Sequence, residues 1–397
     1  MSIQTQPASL QFSTLSGEEG KTLYSVKKLS TLEPKSQKSH GAGVSHEWEH
    51  CKWKISVLNE VPVDFPLERT RREIYQVPVA KVVDRITNSL RLLSIEADFD
   101  GENAKVKCKT SDMVNFRIRL FAGKATTQEP IIVELQRRSG SPGCFMRVAK
   151  KVLDAAEGME IQPEKVLVRK KVPLCMMKTP VSKMKCLQKI EKQDPHKMIE
   201  MDIKKSLEML RSKKRDVNSL GLENLCYMTD PLKTQPDMAS MSCKAMLLGD
   251  HWTEIREEIG ELLQSDAFLP EEFETHPCKE VFNRCRHLAL VFLANLLALT
   301  SQDWCLEDAV KNQEWFTEFL IPSLIDEVKS FEISSNNAYE AACGLTVLAK
   351  CSDVARKKMK EKSAVGDLQL ANHFAVHNHD LLASETKTCL KHLGHLI

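Results

Sequence analysis

The chain has 397 residues, 42% of them hydrophobic and 28% charged, which is enough apolar mass for two or three cores and excludes a wholly disordered or fibrous protein. The formal net charge is only +2, but it is unevenly spread. Residues 51–156 hold 19 Lys and Arg against 13 Asp and Glu, and residues 251–397 hold 14 against 23, so the two halves are expected to meet different partners.

The composition of residues 1–46, rich in Ser, Thr, Gln, Gly and Lys, predicts disorder. Order is expected from residue 47. Cys51, Trp53, Ile55 and Val57 alternate with polar residues and predict a strand, followed by a charged connection. Pro78 opens a helix whose Val79, Val82, Val83, Ile86, Leu90 and Leu93 share one face. Ile95, Ala97 and Phe99 then alternate with acids, and Asp100-Gly101 is a hairpin signal. The return strand alternates Ala104, Val106 and Cys108 with Lys105, Lys107 and Lys109. The next alternates Phe116, Ile118 and Leu120 with Arg117 and Arg119. A last strand carries Ile131, Val133 and Leu135 inward. A helix follows with Phe145, Val148, Ala149, Val152, Leu153 and Ala156 on one stripe, and Gly158 ends it. Strand, helix, four strands and helix make an α+β domain over 47–158: an antiparallel sheet with two helices on one face.

The last turn and helix of this region resemble those of the kinase-associated domain at the C-terminus of AMP-activated and microtubule-affinity-regulating kinases. Some members read Arg-Ile-Ser-Gly-Asp-Ser-Trp-x-Tyr before an apolar helix. Here Arg137, Arg138, Ser139, Gly140, Ser141, Pro142, Gly143, Cys144 and Phe145 align without a gap, with Val152-Leu153 at the helix's apolar pair. Arg138, Ser141, Pro142 and Gly143 depart from the motif, and the tryptophan's packing is lost with it. The resemblance covers residues 50–158. It implies acidic-phospholipid binding and docking on a kinase, although the chain has no Gly-rich loop with a VAIK-like strand, no HRD and no DFG.

Residues 159–195 read as a basic linker with Lys165, Arg169, Lys170, Lys171, Lys178, Lys183, Lys185 and Lys189. From 196 to 397 the apolar periodicity is helical. Predicted stripes run through Met201, Ile203, Leu207 and Leu210; Leu220, Leu222, Leu225 and Met228; Ile255, Ile259 and Leu262; and Phe316, Phe319, Leu320, Leu324 and Val328. The run from His287 to Thr300 is too short for a bilayer at ~20 residues and predicts a buried helix. Gly221–Asp230, Leu293–Gln302, Gly344–Asp353 and Cys389–Ile397 share a Leu-rich body, and small residues (Gly221, Ala294, Gly344) stand beside the leucines of the first three. These segments resemble the third helix of armadillo repeats. The expected fold of this half is an all-α armadillo/HEAT-like solenoid.

No catalytic constellation stands out, and no cofactor is expected. His373 and His377 have helical ligand spacing, but the residues between them include no Glu, and with His379, His392 and His395 they read as surface or loop residues. Ser139 to Gly143 read as a turn, since no Walker lysine follows, and Glu271, Glu272 and Glu274 read as an exposed loop. Thirteen scattered cysteines without C-x-x-C spacing, and no secretory segment, predict buried thiols in a reducing, cytoplasmic or nuclear, setting. The row Lys105, Lys107, Lys109, Arg117 and Arg119 is the site expected to contact an anionic surface at ~1 kcal/mol per basic residue. Nucleic acid is disfavoured because that row lacks interleaved aromatics. The expected function is a non-enzymatic adaptor, with the basic module on anionic lipid or a protein and the helical half gripping a protein segment. The alternative is a regulatory subunit of a kinase-type complex acting through protein contacts alone.

Overall fold

The computed structural model describes residues 53–55, 57–124, 129–161, 194–264, 277–301 and 305–394. The expected disordered segment 1–46, most of the basic linker, the acidic run at 271–274 and His395 lie outside these.

The first half is an α+β arrangement. Strands β1 (Arg71–Ile74), β2 (Glu96–Asp100), β3 (Lys105–Lys109), β4 (Asn115–Ala122) and β5 (Ile131–Ser139) form one antiparallel sheet in the order β1-β5-β4-β3-β2. Helices α1 (Val79–Leu92) and α2 (Pro142–Glu157) pack against each other, and their apolar stripes share one core with the sheet. Val106, Ile118, Val133 and Leu135 from the sheet meet Val82, Ile86, Val152 and Ala156 from the helices, all essentially inaccessible to water. Alternation therefore places the apolar half of every central strand on one side, as expected.

The first strand is not where the alternation at 51–57 predicts it. Trp53 to Ile55 and Val57 to Asn59 are irregular, and β1 lies in the stretch read as a connection. Trp53 is buried nonetheless: its ring lies 6.0 Å from Phe99, and its indole N–H donates to the Asp100 carbonyl at 3.3 Å. Only Ile74 of β1 is buried, so four residues with one apolar position carry almost no periodic signal.

The turn before α2 has its own local logic. Gly140 holds φ 87°, and a Cβ there would fall 2.8 Å from the Met113 carbonyl. Ser141 caps α2 by accepting from the Cys144 N–H at 3.4 Å, and Pro142 occupies the first turn. Ser139 to Gly143 therefore form a turn and helix cap. At the other end, Arg85 of α1 donates to the Ala156 and Glu157 carbonyls, each at 3.1 Å.

The second half is all helical: α3 (Pro195–Leu210), α4 (Arg215–Met228), α5 (Pro236–Leu248), α6 (Trp252–Gln264), α7 (Pro277–Thr300), α8 (Cys305–Asn312), α9 (Ile321–Lys329, preceded by a π-helical turn Trp315–Leu320), α10 (Ser335–Cys351), α11 (Asp353–Glu361), α12 (Ala364–Asn378) and α13 (Asp380–His392). The Leu-rich bodies of the four segments, as far as the described residues reach, lie on α4, α7, α10 and α13, and these helices pack side by side in that order. Helix α3 covers α4, α9 covers α10, and α12 covers α13. Gly344 permits a close approach inside this stack, since a Cβ would meet Leu324 at 3.1 Å and Leu297 at 3.4 Å. A Cβ at Gly221 would lie 2.9 Å from the Ser206 carbonyl of α3.

Helix α7 is longer than the apolar run suggests. Over Glu280–Thr300 it is long and apolar enough to cross a membrane by length and composition, yet Phe292, Leu293, Leu296 and Leu297 are buried in the core it shares with α4 and α10. Met201 and Leu220 are exposed, because the buried lines of their helices run through Ile199, Ile203 and Leu207 and through Leu222 and Leu225. Cys226, Cys243, Cys285 and Cys389 are buried in this half and Cys108 in the sheet core; burial pushes the Cys108 thiol up, and that of Cys389 to about 12.

Candidate functional site between the sheet edge and the helix ends

The polar face of the sheet is set by the same alternation that builds its core. Its rows are fixed by register: Glu96 opposite Lys109, Asp98 opposite Lys107, and Asp100 opposite Lys105, which in turn faces Arg119. The five basic residues expected to form a site do lie on this face, and they differ in surroundings. Lys105 pairs with Asp100 at 3.1 Å and Lys107 with Asp98 at 2.9 Å. Arg119 lies over the Phe65 ring at 5.2 Å and faces the fully buried Glu134. Glu134 accepts from the Glu68 N–H at 2.6 Å and from Gln136 at 3.2 Å. Only Lys107 is exposed; Lys105, Lys109, Arg117 and Arg119 are half-buried.

A cationic surplus remains in the middle. Lys109 and Arg117 have no acidic side chain in ion-pair contact among the described residues. Burial, then the nearby charges of Arg138 and Arg119, lowers the Arg117 pKa. Arg138 donates to Gln136 at 3.2 Å. The hairpin turn after Asp100 accounts for the pairing at the edge: Asp100 accepts from the N–H and side chain of Asn103 as well as from Lys105, which holds its carboxyl down at about 2.

Helix N-termini of the second half dock beside this face. Glu96 Oε1 accepts from the Asn336 N–H at 2.7 Å and from Ser334 Oγ at 3.1 Å, capping α10 with a carboxylate from the sheet. Ser94 Oγ accepts from the Leu381 N–H of α13 at 2.8 Å. His287 of α7, 1% exposed, donates from Nε2 to the Ser111 carbonyl at 3.0 Å, with Nδ1 2.9 Å from Asn337 Oδ1. His379 caps α13 by accepting at Nδ1 from the Leu382 N–H at 3.2 Å, so its Nε2–H donates to Asn336 Oδ1 at 3.2 Å. Burial holds this imidazole neutral, its pKa down at about 4.

Between sheet and helices lies a cleft of about 700 Å³. The residues from Ile95 to Phe99 line it continuously, with Lys107, Lys109, Arg117 and Arg138 beside them. Glu332, Ile333, Phe374 and His377 form the opposite wall, where Ile333 is 88% exposed. The anionic-surface row is thus partly a recessed floor. His373 and His377 are neighbours, with ring centroids 6.1 Å apart, and no group of three His, Cys, Asp or Glu among the described residues is arranged to hold a metal.

Sequence reasoning missed Glu96, His287 and Asn336, and its reading of His379 as a surface or loop residue is wrong: the ring is 1% exposed and caps α13. Ser334 to Asn337 reads as a polar link, whereas Ser335 already begins α10. The usable signal was a run of capping-type residues just before a Leu-rich body. Comparison with protein-family models, with curated proteins and with solved structures gives no match to this chain.

Proposed function

We propose that the protein is a non-enzymatic adaptor that takes an acidic segment of a partner protein onto the cationic floor of the cleft. The observation that carries this is the surplus at the half-buried Lys109 and Arg117, with the exposed Arg138 beside them at the cleft. A flat membrane would reach Lys107 most readily, but that ammonium already pairs with Asp98; a flexible chain reaches the floor. Partly desolvated cations also hold carboxylates more strongly than exposed ones do. The order of elements around the sheet supports the likeness to kinase-associated domains. The side-by-side α4, α7, α10 and α13, each with a covering helix, support an armadillo-like repeat as a second protein-binding surface.

The test compares two probes on the full chain: a Glu-rich peptide and vesicles containing phosphatidylserine. The peptide is expected to bind in a salt-sensitive way and the vesicles to retain little. Combining Lys109→Glu with Arg117→Glu is expected to weaken the peptide about tenfold or more, equivalent to at least about 1.4 kcal/mol. Vesicle retention without peptide binding would turn the reading toward lipid.

A further inference from the structure

We infer that the open edge of β2 accepts an extended segment of a partner protein as a sixth, antiparallel strand. This goes beyond the acidic-segment reading, because it uses backbone groups at the lip of the cleft and not the cations of its floor.

The direction of each backbone group follows from the ladder. Thr110 N–H donates to the Val114 carbonyl at 3.1 Å, and Leu120 N–H donates to the Ala104 carbonyl at 3.0 Å. Even-numbered residues of β3 therefore bond to β4. Lys105, Lys107 and Lys109 must turn their N–H and C=O toward β2, where their register partners are Asp100, Asp98 and Glu96. Ala97 and Phe99 are left pointing the other way, at the open side. The far edge repeats the alternation: even residues of β5 face β4, and Leu135 N–H donates to the Thr70 carbonyl beside β1 at 2.9 Å.

No described residue hydrogen-bonds to the N–H or C=O of Ala97 or Phe99. The open stretch is bracketed by Asn336 bonding to Glu96 at one end and by Trp53 bonding to the Asp100 carbonyl at the other. It opens into the 700 Å³ cleft. An exposed edge of this kind is a template for strand addition, and backbone bonds supply the affinity while alternate side chains supply the choice of partner.

The walls define the partner's chemistry. Residues opposite Ala97 and Phe99 share their side of the sheet and meet Leu90, Phe99 and Phe374, so they are apolar. The intervening residues meet Asp98, whose carboxylate Lys107 already pairs, and Glu332, which has no ion pair among the described residues, so a basic residue suits that side through Glu332. In an antiparallel hydrogen-bonded pair, the apolar residues are then the ones whose backbone bonds to β2.

The probe is a nine-residue peptide of alternating Val and Lys with blocked ends, and the readout is its affinity for the full chain. N-methylation of the valines is expected to weaken binding about tenfold or more, and N-methylation of the lysines less than about twofold. Ala97→Pro, which removes an N–H that β3 does not use, is expected to weaken the probe about tenfold while leaving the unfolding midpoint unchanged. Amides of Ala97 and Phe99 should gain protection from hydrogen exchange when the probe binds. Equal loss from both methylated peptides, loss from the lysine set alone, or binding without protection at Ala97 and Phe99 overturns the proposal. So does absence of binding by the unmodified probe. None of these outcomes bears on the Glu-rich peptide, so the two readings fail separately.

Discussion

Replacing Glu96 with Ala is expected to loosen the junction between the sheet and the helices and to lower stability by about 2–3 kcal/mol. The carboxylate accepts two hydrogen bonds at the start of α10, from the Asn336 N–H and from Ser334 Oγ. Charge-assisted bonds contribute about 1.5–3 kcal/mol each, and removing the acceptor strands the amide donor at a partly buried helix end. The loss should be local as well as global: amides of Asn336 to Ala338 should exchange faster, while those of β4 and β5 should change little. Glu96→Gln keeps an acceptor without the charge and should recover part of the difference. A full set of wild-type exchange rates at Asn336 in Glu96→Ala would show that this cap does not hold the junction.

Acidification should weaken the same junction through His379. The ring is buried and neutral, its pKa shifted from 6.5 down to about 4 by loss of solvation. Its unfolded form binds a proton below about pH 6.5, whereas the folded form resists until about pH 4. The unfolded state therefore holds more protons between these values, and stability falls as pH drops through that window. At about 1.4 kcal/mol per pKa unit, the full loss is about 3 kcal/mol, complete near pH 4 and absent above about pH 7. His379→Gln can still receive the Leu382 N–H without titrating. The difference between wild type and this variant, measured by denaturation across the window, isolates the imidazole from the carboxylates. A pH-independent difference would mean that the ring is hydrated in solution.

Much of the architecture was legible because burial and period agree. Phe116, Ile118 and Leu120 alternate inward on β4, and Leu345, Leu348 and their neighbours repeat at helical spacing on α10. The strand at Arg71–Ile74 was not legible, since an edge strand with one buried side chain has no alternation to detect. The basic row was legible as a row, but not as a mosaic. Reading Asp100-Gly101 only as a hairpin signal leaves open which acid meets which lysine. The observed loop over Gly101 to Ala104 sets Asp100 against Lys105 and Asp98 against Lys107. The junction was invisible for a different reason. Glu96, Asn336 and His379 are each unremarkable alone, and only tertiary structure brings them together.

The bond between Glu96 and Asn336 joins positions 240 apart in the chain. During synthesis, β1 has no neighbour until β5 has emerged, so the sheet closes late relative to its first strand. The stack from α4 to α13 can instead grow by adding each new helix to the one before it, a low-contact-order route. The seam between the halves forms after both, because its far side includes α10 and α13. Until then β2, an edge strand in the finished fold as well, lacks the cleft wall that later restricts access to it, and the ribosome-bound intermediate is the species most exposed to mispairing and to chaperone capture.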